Sequence, residues 1–509
     1  MDLFTNPDLF RVIDTYTDLR SLCDTCTVLS TLKKYINYKL NSQYSLMYYE
    51  DIAFRNIVLN AIFNPYKQLY INLNGCDNIT DVSILDNVHT LDLSWCKNIR
   101  DVSVLKNVHT LNLSFCNKIK FCALSNIHTL LLRWCDRISD VSSLCNIHTL
   151  DLSRCRNIDD VSALRNVYNL DLSETNIEDV SALGNVHTLK LSECHEITDV
   201  RELGTVYNLD LMWCRYIEDV SALGNVHTLN LGETNIKDVS ALGNVHSLNL
   251  YRCSSITDVS ALKNVHTLNL SETNITDVSA LGNVHILDLS YCQNITDVSA
   301  LGNVHILDLS YCKITDVSAL GNVYELILSG CDNITDVSAL GNVHTLNLSG
   351  CENITDVSAL GNVHTLNLMY CDKITDVSAL GNVYDLDLSS CDKIIDVSAL
   401  GNVHTLNLMY CDKITDVSAL GNVHNLNLSH CNNIVDVSAL GNVHTLDLRF
   451  CDNIIDVSAL GNVHTLYLNS CNKITDVSAL GNVKILDLEN CENITDVSAL
   501  GNVKTLFLP

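Results

Sequence analysis

The sequence has few prolines, a deficit of positive charge and no long apolar run. Only three prolines occur in 509 residues, and Pro65 stands where an irregular N-terminal stretch gives way to regular sequence. No segment approaches an uninterrupted apolar span of membrane length, so no transmembrane helix and no membrane role are expected. The first eight residues, Met1 to Asp8, lack the basic stretch and apolar run of a secretory signal, which points to the cytoplasm or nucleus. Against 59 Asp and Glu there are 31 Lys and Arg, a net charge of -28, and a field of that sign repels nucleic acid and anionic lipid. A basic protein partner is favoured on the same ground. There is no phosphate-binding glycine loop, no Ser/His/Asp set that stands apart from the repetition, and no break in the pattern that gathers polar groups into a small-molecule pocket. Neither an enzyme nor a cofactor is expected.

What the sequence has in abundance is repetition. From about Gln68 to Pro509 it recurs with a period of 20, occasionally 19, residues, and one unit runs from Val343 to Asn362. A fixed period of this length belongs to a solenoid, whose units cannot bury an apolar face alone and must stack on their neighbours. Across Thr345-Leu346-Asn347-Leu348-Ser349 apolar and polar residues alternate, as a strand requires. Twenty-three such strand segments can be counted. In the other half of the unit, Asp356 is placed to cap a single helical turn, Val357 and Leu360 point inward, and Gly361 is expected to make the exit turn. The recurring Asp stacks into an acidic stripe, for which capping is explanation enough.

The stretch Val-x-x-Leu-x-Leu-x-x-Cys-x-x-Ile resembles the leucine-rich-repeat pattern of the cysteine-containing class, and the Thr355 to Asn362 half resembles the short outer segment of internalin-like repeats. The resemblance implies an α/β solenoid: a leucine-rich-repeat arc with a long parallel β-sheet on its concave face and short helical turns on its convex face, over residues 68–509. Residues 1–67 precede it as a small helical segment, with apolar spacing at Leu9-Phe10-Val12-Ile13-Tyr16 and again at Leu19-Leu22-Cys23-Cys26-Leu29. At the least this segment covers the end of the first repeat.

Nineteen of the 23 cysteines recur at one repeat position, where Thr175, Thr234 and Thr273 substitute. That pattern suits small buried residues whose S–H groups bond to neighbouring backbone, and neither a disulfide framework nor a metal array is expected. Cys23 and Cys26 have the spacing of a redox motif but fall in a helical pattern, which reads as packing. Sixteen of the 18 histidines share another position, with Tyr at 168, 207, 324 and 384 and Lys at 484 and 504. Tyr and Lys do not replace a metal ligand, so a half-exposed flank is expected there, and no metal.

The positions free to vary carry the functional expectation. Trp95, Phe115, Trp134, Trp213, Tyr291, Tyr311, Tyr370, Tyr410 and Phe450 stand just before the cysteine position, at the expected edge of the concave face, and Tyr251 joins them from the strand row. Exposed aromatics there are anchors for a protein partner, unless they only stack on one another along the turn. Other departures from the polar strand row are Arg133, Lys190, Met212, Met369, Met409 and Arg449.

The segment from Asp18 to Cys26 resembles the second half of an F-box, and Pro7 to Ile13 is similar to its opening. The interval between Pro7 and Asp18 is several residues short, and Leu29 stands where that motif has Trp. The resemblance implies that Leu9, Val12, Ile13, Leu19 and Leu22 dock a Skp1-like adaptor of a cullin ubiquitin ligase while the solenoid holds a target. Near-identical repeats after such a start also resemble the repeat families of giant DNA viruses, which implies the cytoplasm of an infected host. The alternatives are a scaffold whose N-terminus is only a cap, and a secreted adhesin, which the missing signal and free cysteines disfavour.

Overall fold

The computed structural model describes residues 38–61, 69–119, 124 and 127–508. Leu9, Val12, Ile13, Leu19, Leu22, the pair Cys23 and Cys26, and Pro65 lie outside the described residues. The chain divides into two compact units, Met1–Cys214 and Arg215–Pro509.

In both units each repeat folds the same way because its alternation admits one solution. In Thr345–Asn347 the central Leu346 is buried while its neighbours are half-exposed, and Leu348 follows it into the interior. The next strand lies parallel and in register, with Thr345 opposite Thr365, Leu346 opposite Leu366 and Asn347 opposite Asn367. Slipping by one residue would turn every leucine to solvent, so the hydrophobic pattern alone holds the register. Among the described residues the first unit carries nine strands, from β1 (Tyr38–Lys39) and β2 (Leu69–Asn72) to Asn208–Asp210, and the second carries fifteen, from Thr228–Asn230 to Thr505–Phe507. All but β1 fall in the repeats, so the 23 strand segments counted in the sequence are found. The fold is a leucine-rich-repeat solenoid.

The interior is a stack of like residues: Val343, Leu346, Leu348, Cys351, Ile354, Val357 and Leu360 each expose 1% or less. Where it is described, the outer half of a unit is one turn of 3-10 helix, such as Ser358–Asn362. Asp356 Oδ1 accepts the Ser358 N–H at 2.9 Å, so the recurring Asp holds the turn's first N–H from one residue before the cap position, Val357, whose side chain makes no capping bond. The Ser358 hydroxyl first, and then its backbone N–H, hold the Asp356 carboxyl below its ordinary range.

The glycine that follows works differently from the expectation. The position is right-handed, as Gly282 shows with φ -63° and ψ -11°, so no left-handed exit turn is made. A Cβ on Gly361 would instead lie 2.4 Å from the Ala379 carbonyl oxygen. Glycine relieves this close approach of the next repeat's backbone, which has to shift where Lys263 or Lys106 stands at the same position.

The described part of the N-terminal segment closes the first unit. β1 pairs in parallel with β2, Tyr38 opposite Leu69. Helix α1 (Ser42–Glu50), capped by Asn41 Oδ1 accepting the Tyr44 N–H at 2.9 Å, buries Tyr48. Ser45 Oγ accepts the Asn72 N–H at 3.1 Å and Tyr49 donates its hydroxyl to the Asp81 carbonyl at 2.9 Å, tying helix to repeat. Arg55, on α2 (Ile52–Ala61), donates to the carbonyls of Tyr48 and Tyr49 at the end of α1.

Candidate functional site

Each strand ends in a four-residue turn, Leu348-Ser349-Gly350-Cys351 in one unit, closed by the Cys351 N–H donating to the Leu348 carbonyl at 3.1 Å. The third residue of such a turn needs positive φ, which favours glycine. Glycine does stand there at 75, 330 and 350, with φ of 72°, 66° and 73°. At nineteen other turns the residue is not glycine, and every one is left-handed, from Trp95 at 63° to Asn490 at 60°. This single row holds Trp95, Phe115, Trp134, Trp213, Tyr291, Tyr311, Tyr370, Tyr410 and Phe450. The left-handed backbone swings the side chain out of the strand alternation, so one side chain per repeat stands at the rim. The aromatic positions are legible in the sequence, and the left-handed backbone that carries them is not. Its one trace is three glycines and an asparagine sharing a position with tryptophans.

Tyr251 does not belong to this row. It sits on the sheet face one residue earlier, half-buried, with its hydroxyl donated to Glu272 Oε1 at 3.0 Å, and the left-handed residue of its repeat is Arg252. Arg252 bridges two carboxylates of the row, Glu233 at 3.0 Å and Glu272 at 2.6 Å.

Within the row the rings stack. In the first unit Trp95 and Phe115 lie 3.9 Å apart, Phe115 and Trp134 5.7 Å, and the Arg154 guanidinium lies 4.5 Å over Trp134. In the second, Tyr291 stacks on Tyr311 at 4.5 Å, and His430 is sandwiched between Tyr410 at 4.2 Å and Phe450 at 4.4 Å. Stacking covers one face of each outer ring and leaves the rim wet: Trp95 is 45% exposed and Tyr291 47%. Both expectations for these aromatics, exposure and mutual stacking, describe the same surface.

The polar strand row beside it is already engaged. Asp92 Oδ1 accepts both the N–H and the hydroxyl of Ser94, and Asn347 Oδ1 accepts the Ser349 N–H at 3.0 Å. These Asx bonds set up the turn two residues later. The departures follow the same logic: Arg449 pairs with Asp447, and Arg133 with Asp151.

The cysteines form an inner ladder. Cys351 donates its S–H to the Leu328 carbonyl of the preceding repeat at 3.1 Å, and Thr175 Oγ1 donates to Leu172 of its own repeat at 2.7 Å. All described cysteines are free. Burial pushes the thiols up, Cys371 to about 12. On the other flank the histidines stack ring on ring, His89 on His109 at 4.6 Å and His404 on His424 at 4.7 Å, with Tyr in line as at Tyr168, 4.4 Å from His187. Where Thr follows, the imidazole Nδ1 meets its hydroxyl, as His344 and Thr345 do at 3.2 Å, and His424 Nδ1 meets Asn425 Oδ1 at 3.1 Å. Among the described residues no His, Cys, Asp or Glu group could hold a metal ion, and no helix is long and apolar enough to cross a membrane.

A family described as Leucine Rich repeat matches residues 303–320. The chain finds no match among curated proteins. Among solved structures it is similar to an internalin, inlF, of Listeria monocytogenes, at 21% identity over 72% of this chain and 82% of that one, TM-score 0.29. It is similar to the functional domain of InlJ from Listeria monocytogenes, described as including a cysteine ladder, at 22% identity over 65% and 69%, TM-score 0.37. A leucine-rich-repeat protein of Leptospira interrogans matches at 19% identity over 77% of this chain and 98% of that one, TM-score 0.42.

Proposed function

We propose that the chain is a protein-interaction scaffold that holds a partner along the left-handed row, works in the cytoplasm and catalyses no reaction. One observation carries this reading. The row is the surface where residue choice is least forced by the fold, and large rings occupy it although left-handed backbone costs a non-glycine residue about 1 kcal/mol or more. Aromatic and arginine side chains at a half-exposed rim are the usual anchors of protein interfaces. Buried, unpaired thiols agree with a reducing compartment. The test is capture of partners by the full chain and by two variants, Trp95→Ala with Trp134→Ala, and Tyr410→Ala with Phe450→Ala. Loss of the same partner with either variant, and its retention when His364 and His404 are changed to Tyr, supports the reading; equal capture by all forms removes it.

A second reading adds an adaptor. The F-box resemblance of residues 18–26 assigns the N-terminal segment to a Skp1-like protein of a cullin ubiquitin ligase, and α2 leaves Ile52 and Ile57 68% and 66% exposed, an apolar face suited to a partner. The full chain mixed with such an adaptor, against Leu19→Asp with Leu22→Asp, decides it: co-elution lost in the variant supports an adaptor site, and no co-elution leaves a capped scaffold.

A further inference from the structure

We propose that the stretch of the left-handed row from Tyr311 to Tyr370 is a slot for an arginine side chain of the protein partner. The inference rests on the scaffold reading and names the chemistry of its partner.

The slot is made by two missing side chains. Tyr311 stacks on Tyr291 with one face and leans with the other over Gly330, where an added Cβ would lie 2.5 Å from its Cε1. The next position, Gly350, is open: an added Cβ would find only the Gly330 N and Cα, at 3.7 and 3.8 Å. Beyond it stands Tyr370, the most exposed aromatic of the row at 54%, with no ring stacked on it among the described residues. Two repeat spacings separate Gly330 from Tyr370, roughly 9–10 Å. A flat group touching a ring on each side needs about 7–8 Å. The floor is backbone, held by the Gly330 N–H on Ser349 O at 2.8 Å and the Gly350 N–H on Met369 O at 2.7 Å.

The rim selects for positive charge. Asp332 and Glu352 each follow the row by two residues, are exposed, and have no ion pair among the described residues. Of the nearby lysines, Lys373 donates its ammonium to Asn353 Oδ1 at 2.5 Å, and Lys313 lies one repeat before the gap. A neutral ring would fill the slot but leave both carboxylates unanswered, and an anion would be repelled. A lysine ammonium answers the charge but has no flat face. A guanidinium does both, stacking on tyrosine and forking onto a carboxylate. The first unit holds a smaller version, in which Gly75, with open space at its Cβ position, leaves one face of Trp95 uncovered beside Asp77.

The experiment uses the full chain and two labelled eight-residue peptides, alternating Gly with Arg and Gly with Lys, read by fluorescence anisotropy at 0.15 M salt. The Arg peptide is expected to bind about tenfold more tightly than the Lys peptide. Gly350→Tyr fills the slot with a residue that the row already carries at 410, and Tyr370→Ser removes a wall with the residue found at 390. Each is expected to weaken Arg-peptide binding about tenfold, and Asp332→Asn with Glu352→Gln about fivefold. His364→Tyr, on the opposite flank, should leave it unchanged. Equal binding of the two peptides, or indifference to both Gly350→Tyr and Tyr370→Ser, overturns the slot. Continued loss of the natural partner on changing Trp95 and Trp134 or Tyr410 and Phe450 would then keep the scaffold reading alive without it.

Discussion

The rings of Trp95 and Phe115 lie 3.9 Å apart and 12° from parallel, each carried on left-handed backbone with φ of 63° and 64°. The stacking offsets backbone strain, since an aromatic pair contributes about 0.5–1.5 kcal/mol and a non-glycine residue in this conformation costs a similar amount. Non-glycine positions of the row with neither a ring nor an ion pair have the strain and not the compensation.

Ser390, at φ 58°, is such a position. Ser390→Gly is expected to stabilise the second unit by about 0.5–1 kcal/mol in urea unfolding. Tyr410→Gly, which relieves the same strain but removes the ring 4.2 Å from His430, should be neutral or destabilising. If both changes stabilise equally, stacking contributes nothing.

The cysteine ladder predicts which thiols react. Cys76 and Cys145 are half-buried, while the other described cysteines are buried, and burial holds Cys96 up at about 11 and Cys371 at about 12. A disulfide reagent at pH 8 should therefore modify Cys76 and Cys145 in the native protein, and the ladder only after denaturation. Cys371→Thr, which places a hydroxyl where Thr175, Thr234 and Thr273 already hold one, should cost less than Cys371→Ala, which loses the bond to Leu348 O and leaves a void. Mass mapping of the modified thiols and the two unfolding midpoints check both statements.

The histidine row predicts acid sensitivity. His89, His109, His266 and His444 are held below the ordinary 6.5, first by lost solvation and then by the neighbouring imidazoles. A base whose folded value lies below its unfolded one binds more protons when unfolded. Stability is thus full above about pH 6.5 and falls as pH drops from there through the folded values. The melting temperature should decline between pH 7 and 5, and less so with His109→Tyr, His266→Tyr and His444→Tyr, since the row already carries Tyr at 168, 207, 324 and 384. The capping Asp residues, lowered by their Ser bonds, act in a separate window below pH 3.8. A flat melting profile down to pH 5 would remove the histidine effect.

Glycines of the outer turn predict a contrast between neighbours. Gly381→Ala brings a Cβ to 2.4 Å from the Ala399 carbonyl oxygen, whereas Gly501→Ala meets nothing within 4 Å. The first should destabilise by about 1 kcal/mol and the second not at all. The first cost is kept modest because Lys263 occupies the equivalent position of another repeat, so the backbone there can give way.

The 20-residue period and the alternation around Leu346 and Leu348 were enough to determine the strands, their number and their parallel register, because any other register exposes every leucine. Periodicity likewise marked Cys351 as interior, Asp356 as a cap and His344 as a flank, since a residue that recurs at one position must serve the stack. What sequence could not supply was backbone handedness and distance. The left-handed φ that places Trp95 and Tyr370 at the rim arises where the Leu-to-Cys turn closes, and Trp134 has it although Leu131 of its repeat offers no Asx bond. The clearance at Gly361, read from sequence as a turn, exists only once Ala379 of the next repeat is stacked against it. The same is true of the gap at Gly350, which needs its neighbours Tyr311 and Tyr370 in place to be a gap at all. Local pattern decided what each repeat is, and stacking decided which of its side chains meet.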